Sequence, residues 1–199
     1  MAPSRRLFLV TAGMAAADTL GLRALARAQR PQSAEAARGA ILIRARRDYA
    51  QGRFYFDPAG LFVELGQTVR WENSDWGFSV CAFHPEIDNH ELRIPEAAAP
   101  FDSGLMVEGA NFDWTFRAEG TYDYYSRFQE TLGAVGRIVV ARPGGPAEKP
   151  PGYGGRDGRA PMFKDSIRLF DLIPSAAIVE RKRIPYPIDV MKQPFPSRP

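Results

Sequence analysis

Residues 120–140 of the chain read GTYDYYSRFQETLGAVGRIVV. Two runs in this stretch, Thr121–Tyr125 and Arg137–Val140, are rich in aromatic and β-branched residues, and the loop between them contains Gly133. Runs of this length and composition, separated by turn-forming residues, are typical of short β-strands. The stretch therefore predicts two strands joined by a loop, and it indicates a sheet-based domain.

The same pattern continues toward the N-terminus as far as residue 40. This part of the chain has no long apolar period of 3.6 residues, which an amphipathic helix would require. Apolar and β-branched runs occur instead at residues 41–43, 53–56, 61–65, 68–71, 78–83 and 112–116. Seven or eight short strands in about 100 residues are typical of an all-β, two-sheet sandwich. We therefore assign residues 40–141 to one β-sandwich domain.

The formal net charge of the 199-residue chain is +3, but the charge is unevenly distributed. Residues 1–39 carry six arginines and two acidic residues, which gives +4. Residues 40–141 carry nine arginines and fifteen acidic residues, which gives −6. Residues 142–199 carry eleven basic and six acidic residues, which gives +5. A nucleic-acid-binding domain needs a basic patch on its folded part, so the acidic middle segment argues against nucleic acid as a partner.

The residue inventory also argues against several kinds of active site. The single cysteine excludes a disulfide within the chain, and one cysteine with two histidines is too few for a zinc or iron–sulfur site. No phosphate-binding glycine loop, G-x-S-x-G elbow or H-E-x-x-H motif occurs. Ser126 has no histidine placed near it by sequence, and Asp88 and Glu91 lie in a polar loop where solvated carboxylates are the norm. We therefore expect that the protein is not an enzyme.

The N-terminal segment, residues 1–39, has the features of an export signal. Ser4-Arg5-Arg6-Leu7-Phe8-Leu9 places two arginines before an apolar stretch that extends to Leu22, and alanines follow at positions 24, 26 and 28. The charged, apolar and small-residue order is that of an exported bacterial precursor. The string resembles the twin-arginine (Tat) signal, which directs export of folded proteins. We therefore expect a periplasmic, membrane-associated protein.

The apolar stretch is a poor membrane span. It is shorter than the about 20 residues that a bilayer core requires, and Asp18 and Arg23 interrupt it. Residues 1–39 are therefore interpreted as a signal, or as an uncleaved anchor, followed by a linker. The sequence leaves open whether the segment is cleaved.

Several strings between residues 56 and 141 occur in the order found in a known family. They are Phe56-Asp57-Pro58, Leu61 to Asn73, His84-Pro85, Leu92 to Pro95, Phe101 to Gly104, Phe112 to Phe116, Gly120 to Tyr124 and Gly133 to Val140. On these strings the domain resembles the cupredoxins, and most closely their plastocyanin- or halocyanin-like exported members. The resemblance implies a cupredoxin-like Greek-key β-sandwich.

The resemblance also implies where a type 1 copper site would lie. Such a site takes two imidazoles and a thiolate, usually with a weak axial thioether. The corresponding positions hold Phe78, Ser126, Gln129 and Ala134. None of these side chains supplies a thiolate or an imidazole, so we expect a redox-silent domain with no cofactor.

Cys81, His84 and His90 are candidate ligands for a replacement metal site. Cys81-x-x-His84 has ligand-like spacing, but on a strand these two side chains point to opposite faces of the sheet. We favour a small buried cysteine and hydrogen-bonded loop histidines. Metal binding by any of the three stays an open alternative.

The composition changes after Ala141. Residues 142–199 hold eleven of the seventeen prolines, and the glycine-rich strings within residues 142–158 exclude a regular helix or ladder there. We interpret the segment as a Pro/Gly-rich, basic, extended arm, with a short strand in residues 163–173 and one short helix from Ser175 to Arg183.

Bulky apolar side chains along this arm favour docking on a partner over a free tail. The residues expected to bind a partner are Arg181, Arg183, Tyr186 and Phe195.

These features together predict a non-catalytic, copper-free accessory subunit. It would stabilise or dock onto a membrane-associated electron-transfer assembly, respiratory or photosynthetic, on the periplasmic face. Its partners would be protein subunits of that complex, with contact to the membrane surface as a further expectation. Two alternatives remain: an electron-transfer protein with an unusual metal site, and a small-ligand binding module.

Overall fold

The computed structural model describes residues 39–75, 77–152 and 163–192. The predicted export segment, as far as residue 38, and Phe195 lie outside the described residues. Nine strands are present: β1 (Ile41–Asp48), β2 (Arg53–Asp57), β3 (Gly60–Val63), β4 (Thr68–Asn73), β5 (Cys81–Ala82), β6 (Asn111–Thr115), β7 (Gly120–Tyr125), β8 (Val135–Val140) and β9 (Arg183–Ile184). The first eight lie at the eight runs that the sequence predicts.

The strands form two sheets with Greek-key connectivity. The first sheet has the order β2-β1-β4-β6 and the second has the order β5-β7-β8-β3-β9. Two neighbouring pairs are parallel, with Ile41 opposite Val69 in β1–β4 and Leu61 opposite Ile138 in β3–β8. Because parallel neighbours cannot be joined by a tight turn, the chain must cross between the sheets. The predicted all-β sandwich is confirmed.

An aromatic core fills the space between the sheets. Trp71 on β4 is fully buried and packs edge-on to Tyr124 on β7, with ring centroids 5.4 Å apart. Phe56 lies 4.9 Å from the Tyr124 ring, and Phe101 lies 5.9 Å from Trp71. Strand β4 alternates buried and half-buried side chains, as expected when only one face of a sheet is covered.

The outer face of the first sheet is covered by paired polar side chains. Arg70 and Asp113, opposite each other on β4 and β6, form two hydrogen bonds of 2.7 Å. The hydroxyls of Thr68 and Thr115 lie 2.7 Å apart on the same face. This face is therefore a solvated surface whose charges are neutralised within the sheet.

The second sheet differs, because every residue of β7 and β8 is buried. Its outer face is covered by two helices from the C-terminal segment, α1 (Lys164–Leu172) and α2 (Ser175–Arg181), and a short helix, α3 (Ile188–Lys192), follows them in the chain. The α1 and α2 helices pack against β8, and α2 also packs against β3 and β9. At Gly60 a Cβ atom would lie 2.9 Å from Ile178, so the missing side chain allows α2 to approach the sheet closely.

The C-terminal segment therefore corrects two predictions. Residues 163–173 form a helix rather than a strand, because Ser166, Leu169 and Phe170 lie on one buried face at helical spacing. The described parts of the segment, residues 142–152 and 163–192, are folded onto the sandwich rather than extended as an arm. The predicted helix from Ser175 is present and ends at Arg181. Among the described residues, no helix is both long and apolar enough to cross a membrane.

Candidate functional site

The four positions that correspond to copper ligands lie together at one end of the sandwich. Ser126 follows β7, Gln129 lies in the next loop, and Ala134 precedes β8. The loop closes on itself: the Ser126 amide donates to the Ala134 carbonyl (2.9 Å), and the Ala134 amide donates to the Gln129 carbonyl (3.1 Å). Phe78 reaches the same place from the other side, through the segment that precedes β5.

Hydrogen bonds connect the Phe78 segment to the loop. The Ser79 amide donates to the Ser126 hydroxyl at 3.0 Å, and the side-chain amide of Gln129 donates to the Gly77 carbonyl at 3.0 Å. The Arg127 amide donates in turn to the Ser79 hydroxyl at 2.8 Å. These bonds lie on both sides of Phe78 and fix its position relative to the loop.

The interior of this site is filled by the protein's own side chains. The Ser126 hydroxyl donates to the Gln129 side-chain oxygen, so both polar side chains have partners. Phe78 is fully buried, and its ring centroid lies 5.7 Å from Phe54 and 5.8 Å from Phe56. Ala134 is also fully buried. The arrangement is that of a packed, hydrogen-bonded interior, with no donor set for a soft metal.

Cys81 lies near this site, but its thiol is engaged elsewhere. The sulfur lies 3.3 Å from the Asp102 carboxylate and 3.6 Å from the Ser79 hydroxyl. Burial raises the pKa of Cys81 to about 12. The thiol is therefore protonated at neutral pH, which suits a small buried side chain.

The two histidines have neighbours that differ from those of Cys81. The His84 ring nitrogen Nδ1 accepts a hydrogen bond from the Glu86 amide at 3.2 Å. The His90 ring lies 3.2 Å from the Glu130 carboxylate and packs against Phe83 and Tyr125. Within the described ranges, no group of three or more histidine, cysteine or acidic side chains is arranged to hold a metal ion.

An ion-pair network borders the site. Arg127 donates to Asp88 at 2.7 Å and to Asp102 at 2.8 Å, and the Tyr125 hydroxyl donates to Asp88 at 2.7 Å. Asp88, which the sequence places in a solvated loop, thus has two partners. Its pKa is lowered: burial acts to raise it, and the hydrogen bonds from Arg127 and Tyr125 outweigh that effect. No sequence spacing identifies this network, because its members come from three separate segments.

A second charged cluster, fully buried, fastens the C-terminal segment to the second sheet. Asp123 accepts hydrogen bonds from Arg93 (2.9 Å) and Arg137 (2.7 Å). Both guanidinium groups also donate to the Ala147 carbonyl at 3.0 Å, and both lie over the Phe170 ring. This cluster was not predicted from the sequence. The signal that could have indicated it is the presence of charged residues within otherwise apolar strands.

The residues predicted to bind a partner are in different environments. Arg181 and Arg183 are exposed. Tyr186 is instead 6% exposed and stacks on Tyr55 with ring centroids 4.2 Å apart. Its amide donates to the Asp57 side chain at 3.2 Å. Tyr186 therefore anchors the segment to its own domain, which corrects its predicted role as an anchor on a partner.

Part of the chain is similar in sequence to a known protein. No family model matches the chain. Halocyanin from Natronomonas pharaonis is 31% identical over 88 residues, which are 44% of this chain and 48% of the halocyanin. The β-sandwich is cupredoxin-like. The chain spans about half the length of this curated relative, so the relationship concerns the domain alone.

Solved structures similar to the chain are also cupredoxins. Pseudoazurin from Methylobacterium extorquens AM1 aligns with a TM-score of 0.48 and 17% identity, covering 67% of this chain and 94% of that protein. A purple cupredoxin from Nitrosopumilus maritimus aligns with a TM-score of 0.40 and 24% identity, covering 51% of this chain and 99% of that protein. Pseudoazurin from Hyphomicrobium denitrificans aligns with a TM-score of 0.44 and 22% identity, covering 52% of this chain and 77% of that protein.

Proposed function

We propose that this protein is a copper-free, cupredoxin-like accessory subunit. It docks onto a membrane-associated electron-transfer assembly on the periplasmic face and stabilises that assembly without catalysing a reaction. The observation that carries the proposal is the state of the four ligand positions. Phe78, Ser126, Gln129 and Ala134 are all buried and all engaged in packing or hydrogen bonds within the domain.

The chemistry of these residues supports a redox-silent role. A type 1 site needs a thiolate and two imidazoles in its trigonal plane, and only the axial ligand is weak. Here all three strong ligands are replaced, since a serine hydroxyl is not a thiolate and neither Phe78 nor Gln129 has an imidazole. The only thiol in the sequence, that of Cys81, is protonated at neutral pH and hydrogen-bonded to other groups.

A structural role is also favoured over catalysis. The Ser126 hydroxyl donates to the Gln129 amide oxygen, and an amide is no general base. His84 and His90 have other partners within the domain. The twin-arginine-type segment supports a place in the periplasm, and the choice of an electron-transfer assembly as host rests on the family likeness alone.

Metal analysis of the protein purified from its native membrane tests the copper-free part of the proposal. We expect much less than one copper per chain and no thiolate-to-copper charge-transfer band, even after Cu(II) is added. The triple variant Phe78→His/Ser126→Cys/Gln129→His is the matched positive control, because it returns the three strong ligands. A native protein that binds copper stoichiometrically and shows the band would contradict the proposal.

Solubilisation of native membranes in mild detergent tests the accessory role. We expect the protein to co-purify with a membrane complex and to dissociate slowly. The same complex from cells lacking the protein should be less stable to heat. If the native protein is recovered as a stable, free monomer and its loss leaves the complexes unchanged, the accessory role is wrong.

A further inference from the structure

We propose that the free edge of strand β6 binds an extended segment of a partner protein, which joins the first sheet as an additional strand. The added segment carries a basic residue opposite Asp113 and apolar residues beside Phe112 and Trp114. This contact rests on the proposed function and deepens it, because it names the surface of the accessory subunit that meets the partner. That surface lies on the sandwich, not on the C-terminal segment.

The direction of the β6 backbone groups follows from the hydrogen bonds at its two ends. The Asn73 amide donates to the Ala110 carbonyl at 2.9 Å, and the Phe116 amide donates to the Gln67 carbonyl at 3.0 Å. Neighbouring residues of an antiparallel strand direct their backbone groups to opposite sides of the strand. The even-numbered residues of β6 therefore pair with β4, and the odd-numbered residues face the open side.

The open side of β6 presents the backbone groups of Asn111 and Asp113. Among the described residues, these two amides and two carbonyls have no backbone hydrogen-bond partner. The strand contains no proline or lysine, which commonly block exposed sheet edges. The charge of Asp113 is neutralised within the sheet by Arg70. This edge can therefore accept another strand through main-chain hydrogen bonds.

The other three sheet edges are covered or short. The C-terminal segment packs on β2, where Tyr186 stacks on Tyr55 and the Tyr186 amide donates to the Asp57 side chain. Strand β5 has two residues, and its Ala82 amide donates to the Phe101 carbonyl at 2.8 Å. Strand β9 also has two residues. In the part of the chain that the structure describes, β6 is thus the remaining long edge.

Two aromatic side chains on β6 define the apolar part of this surface. Trp114 lies 5.3 Å from Phe101, and Phe112 lies 5.8 Å from Trp71, so both contact the core. Both residues are nevertheless only half-buried, because β6 is the last described strand of its sheet. Aliphatic or aromatic side chains on an added strand would cover them, and such cross-strand pairs stabilise a sheet.

Asp113 determines the charge of the added segment. Its carboxylate accepts two hydrogen bonds of 2.7 Å from Arg70, and its side chain is 15% exposed. A carboxylate has about four acceptor sites, so it can accept further hydrogen bonds. A lysine or arginine opposite Asp113 would extend the row of paired charges across the sheet. The domain charge of −6 also favours a basic segment.

A second copy of this chain fits the same edge less well. The antiparallel register that pairs all five residues of β6 with the same five of a second copy places Asp113 opposite Asp113. Like charges directly opposite each other destabilise a sheet. A segment of different sequence, with a basic residue at this position, avoids the repulsion.

Proline at position 111 tests the strand addition. Because the Asn111 amide faces the open side, Asn111→Pro removes an edge donor and leaves the pairing with β4 intact. Asn111→Ala is the matched control, since it removes the side chain and keeps the amide. Labelled full-length protein is titrated with right-side-out vesicles from host cells that lack the protein. We expect saturable binding, at least about tenfold weaker for Asn111→Pro and unchanged for Asn111→Ala.

A photo-crosslinker provides a second measurement that needs no proline variant. It is placed at position 111 and, for comparison, at Arg46, an exposed residue of β1 in the same sheet. We expect crosslinks to a membrane protein from position 111 and none from position 46. Thermal melting of each variant verifies that it is folded.

Each contrary result has a definite meaning. Equal binding by Asn111→Pro and Asn111→Ala, or crosslinks only from position 46, would overturn the strand addition and leave the accessory function standing. No saturable binding by the wild type would overturn the accessory function itself.

Two further results would assign the edge to a different occupant and overturn the proposal. Self-association of the wild type that disappears in Asn111→Pro would assign β6 to a second copy of this chain. Equal binding to protein-free liposomes of the extracted lipids would assign the contact to the membrane surface.

Discussion

Ser126, at a position predicted to correspond to a copper ligand, is an integral part of the fold. Its hydroxyl accepts from the Ser79 amide and donates to Gln129, so one oxygen satisfies two buried partners. A buried donor or acceptor left without a partner costs about 1–3 kcal/mol. The Ser126 side chain therefore contributes to the stability of the domain through hydrogen bonding.

The Ser126→Ala substitution tests this contribution. We expect the free energy of unfolding to fall by about 1–3 kcal/mol, because the Ser79 amide and the Gln129 side-chain oxygen each lose a partner in a buried site. Urea denaturation measures the change. Thr131→Ala, in the same loop, is the control. Equal stability of the Ser126→Ala protein and the wild type would mean that the hydroxyl network adds nothing.

Cys81 gives a pH-dependent prediction. The pKa of its thiol is raised from 9.0 to about 12 by burial. Between these values the unfolded chain releases the thiol proton and the folded chain retains it, so the free energy of unfolding falls as pH rises above 9. In a Cys81→Ala variant, the free energy of unfolding should fall less over the same pH range.

Thiol labelling provides a second measurement on the same residue. In the folded protein, iodoacetamide should react with Cys81 slowly at pH 8, and the reaction should become fast in denaturant. Fast labelling of the folded protein would show that the thiol is accessible and ionised, contrary to its burial.

At the scale of elements, β7 is unusual because both of its faces are covered. Tyr122 and Tyr124 face the core, while Thr121, Asp123 and Tyr125 face the C-terminal helices. A charged residue in such a strand requires partners of opposite charge. Asp123 has two: Arg137 on β8 and Arg93 in the loop between β5 and β6. The cluster also donates to the Ala147 carbonyl, and so it joins strand, loop and C-terminal segment.

The Asp123→Asn substitution tests the importance of this cluster. It leaves Arg93 and Arg137 buried without their carboxylate, so we expect a loss of about 3–5 kcal/mol in the free energy of unfolding. Glu119→Gln is the matched control, since Glu119 pairs with the exposed Arg142 and such pairs contribute about 0–1 kcal/mol. Similar losses for the two variants would contradict the role assigned to the buried cluster.

The elements also show which parts of the fold the sequence could predict. All eight runs identified as strands are strands, because alternation and β-branching are local signals. The α1 helix was missed because its apolar positions form a short run, which fits a strand or a helix equally well. Burial decides between strand and helix, because Leu169 and Phe170 are buried against a sheet whose residues are distant in the sequence.

At the scale of the molecule, the C-terminal segment forms a third layer on the sandwich. The outer face of the second sheet, with its buried charged cluster, is covered by α1 and α2. The four positions assigned to the copper site rest on local strings of sequence, and their assignment stays a prediction. The sequence could not predict that Tyr186 packs on Tyr55, because that contact joins residues 131 positions apart.

Deleting residues 163–199 tests this third layer. The deletion exposes the outer face of β7 and β8 and removes the Phe170 ring from the two buried arginines. We expect loss of cooperative thermal unfolding and strong aggregation, because apolar surface and an unpaired sheet edge become accessible. Removing only residues 193–199 is the control. A soluble 1–162 protein with a sharp melting transition would show that the layer is dispensable.

The pairing of β3 with β9 has a consequence for biosynthesis. Leu61 pairs with Arg183, so the second sheet is complete only after residue 184 has been synthesised. Such distant pairing is slow to form, because a long loop must close before its contacts are made. The second sheet is therefore completed late, when its last strand, β9, joins β3. An export route that accepts proteins after folding, as the twin-arginine-type segment predicts, would fit this order of events.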